Sequence, residues 1–244
     1  MKPRRIVITA NQYHPDCPSG ANRLAYDEAR FLAHRGHDVW MVVAAMASEA
    51  PSLRRHEGIH VLRYALPRFR GFDPRRRVYH QKAAAGLIAG NIPRPVDIIH
   101  GHALLSYMGG MTCLKGEARS CYSIHSPVTM EMIAEGRDKA LAVRLRMRLT
   151  SQQAGRIERR CIRISDQVTS DSEYTKDLIG GIHGPTYAAK IRKVPGWVDL
   201  SRFVVRADRG ANSRGAAWIL GEWWRGWLLT GFPDDRVEKA NSRT

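Results

Sequence analysis

Acidic side chains are scarce in this chain. Its 244 residues carry 23 Asp and Glu against 39 Lys and Arg, a formal charge of +16 with a pI near 10.3. Such a surplus says nothing about fold. It favours phosphate-rich partners such as nucleotides, nucleic acid or an anionic membrane surface. Cysteine is scarce too. The four present, Cys17, Cys113, Cys121 and Cys161, form no C-x-x-C pair, and the histidines near them lack zinc-ligand spacing. A disulfide scaffold is thereby excluded, and a reduced, cytoplasmic protein with partly buried thiols is expected. No apolar run reaches the ~20 residues of a membrane span. The short run Ile6 to Ala10 follows Lys2, Arg4 and Arg5 but ends at Asn11-Gln12, too soon for a signal peptide. There is no G-x-S-x-G elbow, and no helix-turn-helix, zinc finger or RNA-binding signature, so no nucleic-acid partner is expected. No repeat of fixed period occurs.

What is present reads as alternating strands and helices. Arg5-Ile-Val-Ile-Thr-Ala10 has the apolar, β-rich character of a central parallel strand. A loop punctuated by Pro15, Pro18 and Gly20 follows. Residues 21–35 read as a helix, with Leu24, Ala25, Phe31 and Leu32 toward a sheet and Asp27, Glu28 and Arg30 between them. Gly36 stands at the expected helix end, and residues 37–44 read as the next strand. Further strands are expected at 58–64, 97–100, 119–125, 166–170 and 190–194, and helices at 79–89, 138–164 and 172–179, with Ser172 as a cap. Residues 66–77 read as a Pro- and Arg-rich loop. This alternation predicts an α/β fold, a doubly wound, mostly parallel, Rossmann-like sheet.

Several residues have chemistry available. Ser19 and Gly20 lead into a helix whose first N–H groups lack partners and carry about half a positive charge. That end can receive a phosphate or a sugar hydroxyl; equally, Ser19 can cap the helix while Gly20 relieves a turn. His100 and His102 stand two residues apart, so both face one side of a continuing strand. A metal site would need a third ligand, and the sequence identifies none, so no metal is expected. His125 follows a predicted strand, and the carboxyl ends of strands line the ligand crevice in open α/β sheets. Residues 137–163 hold nine Lys and Arg against Asp138 and Glu158, with Leu141, Val143, Leu145, Met147 and Leu149 interleaved. This is either a solvated helix face or a surface that docks on anionic lipid.

Five segments in order resemble the amino-terminal domain of family 4 retaining glycosyltransferases. They are Tyr13-His-Pro-Asp-Cys-Pro-Ser-Gly-Ala-Asn22, Leu32-Ala-His-Arg-Gly-His-Asp-Val39, Asp97-Ile-Ile-His-Gly-His102, Tyr122-Ser-Ile-His125 and Ser165-Asp-Gln-Val-Thr-Ser-Asp-Ser-Glu173. Val194-Pro-Gly-Trp-Val-Asp-Leu-Ser-Arg-Phe203 then resembles the "I-P-N-G-V-D-x-x-x-F" hinge between that family's two Rossmann-like domains. Ser19 replaces the first glycine of the usual Gly-Gly loop, and Gly196-Trp197 replaces Asn-Gly. The resemblance implies transfer of a hexosyl group from a nucleotide sugar to a lipid or glycan acceptor. It implies His125 as the catalytic-site residue and Ser19, Gly20, Asn22 and His102 as ligand-binding residues. No cofactor is implied, the nucleotide sugar being a substrate.

On this reading residues 1–203 are the acceptor-side domain and 204–244 an irregular tail. Only 244 − 203 = 41 residues follow the hinge, where a second domain of ordinary size needs on the order of 100–200. Trp218, Trp223, Trp224 and Trp227 crowd the tail without an amphipathic period. The family's paired glutamates cannot be placed there, since Glu222 and Glu238 are its only ones. The expectation is a truncated, weakly active or inactive enzyme whose tail is a remnant or an out-of-frame stretch, the structural alternative being a tail that docks on the apolar cleft face or on a partner chain. Another alternative is a two-chain enzyme with the donor domain encoded separately. The rival is a non-catalytic module binding an anionic membrane surface or a partner chain, in either case cytoplasmic or peripheral on the membrane.

Overall fold

A computed structural model of the chain describes residues 2–17, 19–45, 51–66 and 75–195. The expected hinge from 196 onward, the Trp-rich tail and most of the 66–77 loop lie outside these residues. The described chain falls into two compact units. One comprises residues up to Val128 together with Gln152–Gly196, and the described part of the other is Thr129–Ser151.

The first unit is built on an eight-stranded sheet. Its strands are β1 (Arg5–Thr9), β2 (Asp38–Ala44), β3 (Ser52–His56), β4 (Ile59–Tyr64), β5 (Ile98–Gly101), β6 (Arg119–Ile124), β7 (Gln167–Ser170) and β8 (Ile191–Lys193). They lie in the order β3-β4-β2-β1-β5-β6-β7-β8, and all neighbours are parallel except β3 with β4. The helices are α1 (Gly20–His34), α2 (Arg75–Asn91), α3 (Leu104–Leu114), α4 (Val128–Glu135), α5 (Leu141–Ile164), α6 (Glu173–His183) and α7 (Pro185–Ala189). This is the expected doubly wound α/β sheet. The chain leaves β1 in one direction and returns to β5 on its other side, which places a topological switch point between those two strands.

Strand alternation explains how both faces are filled. Ile6, Ile8, Met41 and Val43 point to one face and pack with Ala25, Tyr26 and Ala29 of α1. Val7, Trp40, Val42 and Ile99 point to the other and pack with Ile88 of α2 and Tyr107 and Met111 of α3. The glycines of α3 allow close packing. A Cβ on Gly109 would stand 2.4 Å from the Gln81 carbonyl, and one on Gly110 2.4 Å from the Ile99 side chain.

Sequence and structure differ in several places. β3, α3, α4 and α7 were not expected, and α2 begins at Arg75 rather than 79. β3 is exposed along its whole length and carries no apolar alternation to read. On α1, Phe31 is 47% exposed instead of facing the sheet, and the Arg35 guanidinium lies 4.7 Å over its ring. In the second unit, Met147 of α5 is buried close to Gly136, while Leu141, Leu145 and Leu149 are exposed.

Candidate functional site

The carboxyl end of β5 carries His100, Gly101 and His102. Ile98 packs on the α1 side of the sheet, so alternation puts His100 and His102 on that side as well. Gly101 points the other way, where a Cβ would stand 2.3 Å from the ring of Tyr107. That ring is fully buried, stacks on Tyr122 at 5.2 Å and has its hydroxyl 2.6 Å from Ser165. Only glycine fits between the two histidines. His102 lies one residue past β5 and donates its backbone N–H to the Thr9 carbonyl at 2.8 Å, which extends the ladder to β1. His125 lies one residue past β6 and is half-buried.

Glu28 joins these histidines from α1. Its Oε1 is 2.6 Å from His100 Nδ1 and its Oε2 3.0 Å from His102 Nε2. His100 Nε2 lies 2.7 Å from Ser123 Oγ, which lies 2.7 Å from Thr169 Oγ1. His102 Nδ1 lies 3.0 Å from His125 Nε2, with the two rings stacked 5.2 Å apart. Burial alone would raise the Glu28 pKa. The His100 charge and hydrogen bonds from both histidines outweigh burial and hold the carboxyl well below its usual range. Burial works against a charged His100, but the facing Glu28 carboxylate pushes it up to about 10. His102 is lowered by burial and by the His100 charge. His125 is lowered to about 3 by burial and by the other two histidines.

These charge states fix the hydrogen bonds. Ionised Glu28 accepts from His100 Nδ1–H and from His102 Nε2–H. Neutral His102 then carries its lone pair on Nδ1 and accepts from His125 Nε2–H. His125 is left with its own lone pair on Nδ1, where it can accept a hydrogen bond from a hydroxyl. The carboxylate thus orients a neutral imidazole through a second one.

The other expected residues lie at the start of α1. Ser19 is its N-cap, with Oγ accepting from Asn22 N–H at 3.2 Å. Ser19 and Gly20 are exposed, and a Cβ on Gly20 would meet no atom within 4 Å. Asn22 is buried. Its Oδ1 accepts from Gln12 N–H and its Nδ2 donates to the Cys17 carbonyl, both at 3.3 Å, so its side chain ties the β1–α1 loop to the helix. Glu28 stands about 12 Å along the helix axis from Gly20. The structure therefore brings His102 and His125 together, and leaves Ser19, Gly20 and Asn22 as a separate group at the helix start.

Glu28 is the residue that sequence reasoning missed. The sequence placed it among the polar residues between apolar ones, whereas the helix turns it inward beside Ala25 and Ala29. Its spacing of three from Ala25 was the available signal. With it, Glu28, His100 and His102 each present a ligand-type atom within 4.8 Å of the others, among the described residues.

Comparison with known proteins identifies the family and the fold. The family model described as Glycosyltransferase Family 4 matches residues 18–202, more than half of the chain. Among solved structures, sucrose-phosphate synthase from Thermosynechococcus elongatus superposes with a TM-score of 0.60 at 18% identity, over 84% of this chain and 51% of that one. A structure titled trehalose-6-phosphate from E. coli bound with UDP-2-fluoro glucose matches with a TM-score of 0.48 at 12% identity, over 89% of this chain and 54% of that one. No curated protein matches. The chain thus spans about half the length of the solved structures it resembles. The family match covers the sheet from the start of α1 to β8, including both histidine-bearing strand ends, and this chain belongs to Glycosyltransferase Family 4.

Proposed function

We propose that this domain forms the acceptor side of a retaining hexosyl transfer from a nucleotide sugar to a lipid or glycan. The observation that carries the reading is the hydrogen-bonded set Glu28–His102–His125 at the carboxyl ends of β5 and β6, next to the switch point where open α/β sheets take ligands. His125 serves as a hydrogen-bond partner for a sugar hydroxyl. Its neutral imidazole is suited to accept from that hydroxyl rather than to repel or protonate it. The start of α1 at Ser19 and Gly20 serves a phosphate or a further hydroxyl through its N–H groups.

The test is direct binding. Calorimetry with a panel of UDP-, GDP- and ADP-sugars, sugar phosphates and oligosaccharides is expected to find at least one sugar ligand. Its affinity should fall about tenfold or more in His125→Ala. A chain that binds no sugar in the panel but binds anionic vesicles would instead support a non-catalytic membrane module.

The lipid form of the acceptor is favoured by the second unit. Leu141, Leu145 and Leu149 recur every four residues on α5 and are 78%, 60% and 55% exposed. Arg144, Arg146 and Arg148 flank them and are exposed as well. An apolar stripe bordered by cations is the pattern of a helix that lies on an anionic surface.

A further inference from the structure

We propose that Glu28, His100 and His102 form a binding site for a divalent transition-metal ion of the zinc class. The donor set is two imidazoles and one carboxylate. Zinc uses that combination with a fourth position left to a water or ligand. Two nitrogens among three donors disfavour Mg²⁺ and Ca²⁺, which prefer oxygen.

The geometry is close to what such an ion needs. The Glu28 oxygens lie 2.6 Å from His100 Nδ1 and 3.0 Å from His102 Nε2, and the three donors fall within 4.8 Å of one another. Donors around a tetrahedral zinc with bonds of about 2.0–2.1 Å lie roughly 3.3 Å apart. Shifts of about an ångström would seat the ion. The remote nitrogen of each imidazole is already held. Ser123 Oγ lies 2.7 Å from His100 Nε2 and is itself fixed by Thr169, and His125 lies 3.0 Å from His102 Nδ1. With the ion in place each remote nitrogen would carry the proton and donate, which reverses the His102–His125 bond of the metal-free protein. Such outer partners set ring orientation in metal sites. The three donors project from regular elements or their immediate ends, and Gly101 locks the spacing of the two histidines. The side chains are 15% exposed at His100, 4% at His102 and 25% at Glu28. The site is thus largely dry, with Glu28 its most accessible member. Among the described residues this is the group of histidines and acids that converges in this way. The ion would replace the protons that His100 and His102 turn toward Glu28, so it is an alternative occupant of the group that orients His125, and the inference does not rest on the transferase reading.

The experiment uses the full chain with any affinity tag removed and metal stripped by a chelator. Titration with Co²⁺, followed by its visible absorption, and with Zn²⁺ by calorimetry is expected to show one equivalent bound. Glu28→Gln and His102→Gln should each weaken binding at least tenfold. Ser123→Ala should weaken it by about tenfold, as outer-partner losses do. His34→Gln, outside the group, should change nothing. Circular dichroism checks each variant. Should a variant fail to fold, anomalous diffraction from wild-type crystals soaked in Zn²⁺ decides. A peak bounded by the three side chains upholds the site. Absence of stoichiometric binding, unchanged affinity in a folded Glu28→Gln, or a peak elsewhere overturns it.

Discussion

Gly101 sets the distance between two histidines, and its own constraint comes from the opposite face of the sheet. Tyr107 cannot swing aside for a methyl group, because it is stacked on Tyr122 and its hydroxyl is bonded to Ser165. Gly101→Ala is therefore expected to cost about 1–3 kcal/mol by overpacking. A melting curve should show a loss of several degrees, and a midpoint within one degree of wild type would refute the packing argument. Gly20 poses the reverse case. Nothing in the fold stands where its Cβ would go. Gly20→Ala should leave the midpoint unchanged or slightly raised, since alanine is the better helix former by up to about 1 kcal/mol. On the proposed reading it should still weaken a sugar or phosphate ligand. Unchanged affinity would reduce this loop to a helix cap. Both glycines are visible in the sequence, but their reasons are not. Tyr107 is six residues from Gly101 and meets it only because α3 folds back on β5.

At the scale of elements, what the sequence revealed depended on how many faces each element buries. β1, β2 and β4 to β8 were legible because they are short apolar or alternating runs. α1 was legible through its cap and Gly36, which adopts φ 82 just past the helix end. α3 was not, because Tyr107, Met108, Gly109, Gly110 and Met111 are buried in succession and leave no polar stripe to mark a period. Long-range acids were equally hidden. Glu158 stood among the cations of α5 as an apparent surface residue. It is instead buried, accepting from the Val128 N–H at 3.0 Å and lying 2.7 Å from His183 Nε2 on α6. Removing Glu158 leaves the Val128 N–H and the His183 imidazole without this partner, so Glu158→Ala is expected to destabilise the domain by about 1–3 kcal/mol. Chemical denaturation reads this directly, and a loss below 1 kcal/mol would show that the pair is not a structural tie.

Asp166 ties β7 to β6 in a way that pH can test. Its carboxylate accepts from the Ser120 N–H at 2.8 Å and from the Ser120 hydroxyl at 2.9 Å, and these two bonds hold its pKa below the usual Asp value. A depressed folded pKa means that the stabilisation is complete above the unfolded pKa of about 3.9 and is lost as pH falls through the folded value. The group is exposed, so the effect is small, under about 1 kcal/mol. Asp166→Asn should melt a few degrees below wild type at neutral pH, and the gap should close as the solution is acidified below pH 4. A gap independent of pH would assign the loss to geometry rather than charge.

For the whole molecule, the charge of +16 and the second unit's leucine stripe make a joint prediction. No helix among the described residues is long and apolar enough to cross a membrane. Electrostatic attraction and apolar insertion respond to different variables. Screening weakens the first as the Debye length falls from about 10 Å at 0.1 M salt to 3 Å at 1 M, and it leaves the second intact. On the proposed reading, cosedimentation with vesicles rich in anionic lipid should exceed that with neutral vesicles by tenfold or more at low salt. Replacing Leu141, Leu145 and Leu149 together by Ser should remove the fraction that survives high salt. Replacing Arg144, Arg146 and Arg148 by Gln should remove the preference for anionic lipid. If the leucine variant binds like wild type at every salt concentration, the stripe is not a membrane contact. If both variants do, the docking surface lies elsewhere, and the acceptor reading loses the observation that favours lipid over glycan.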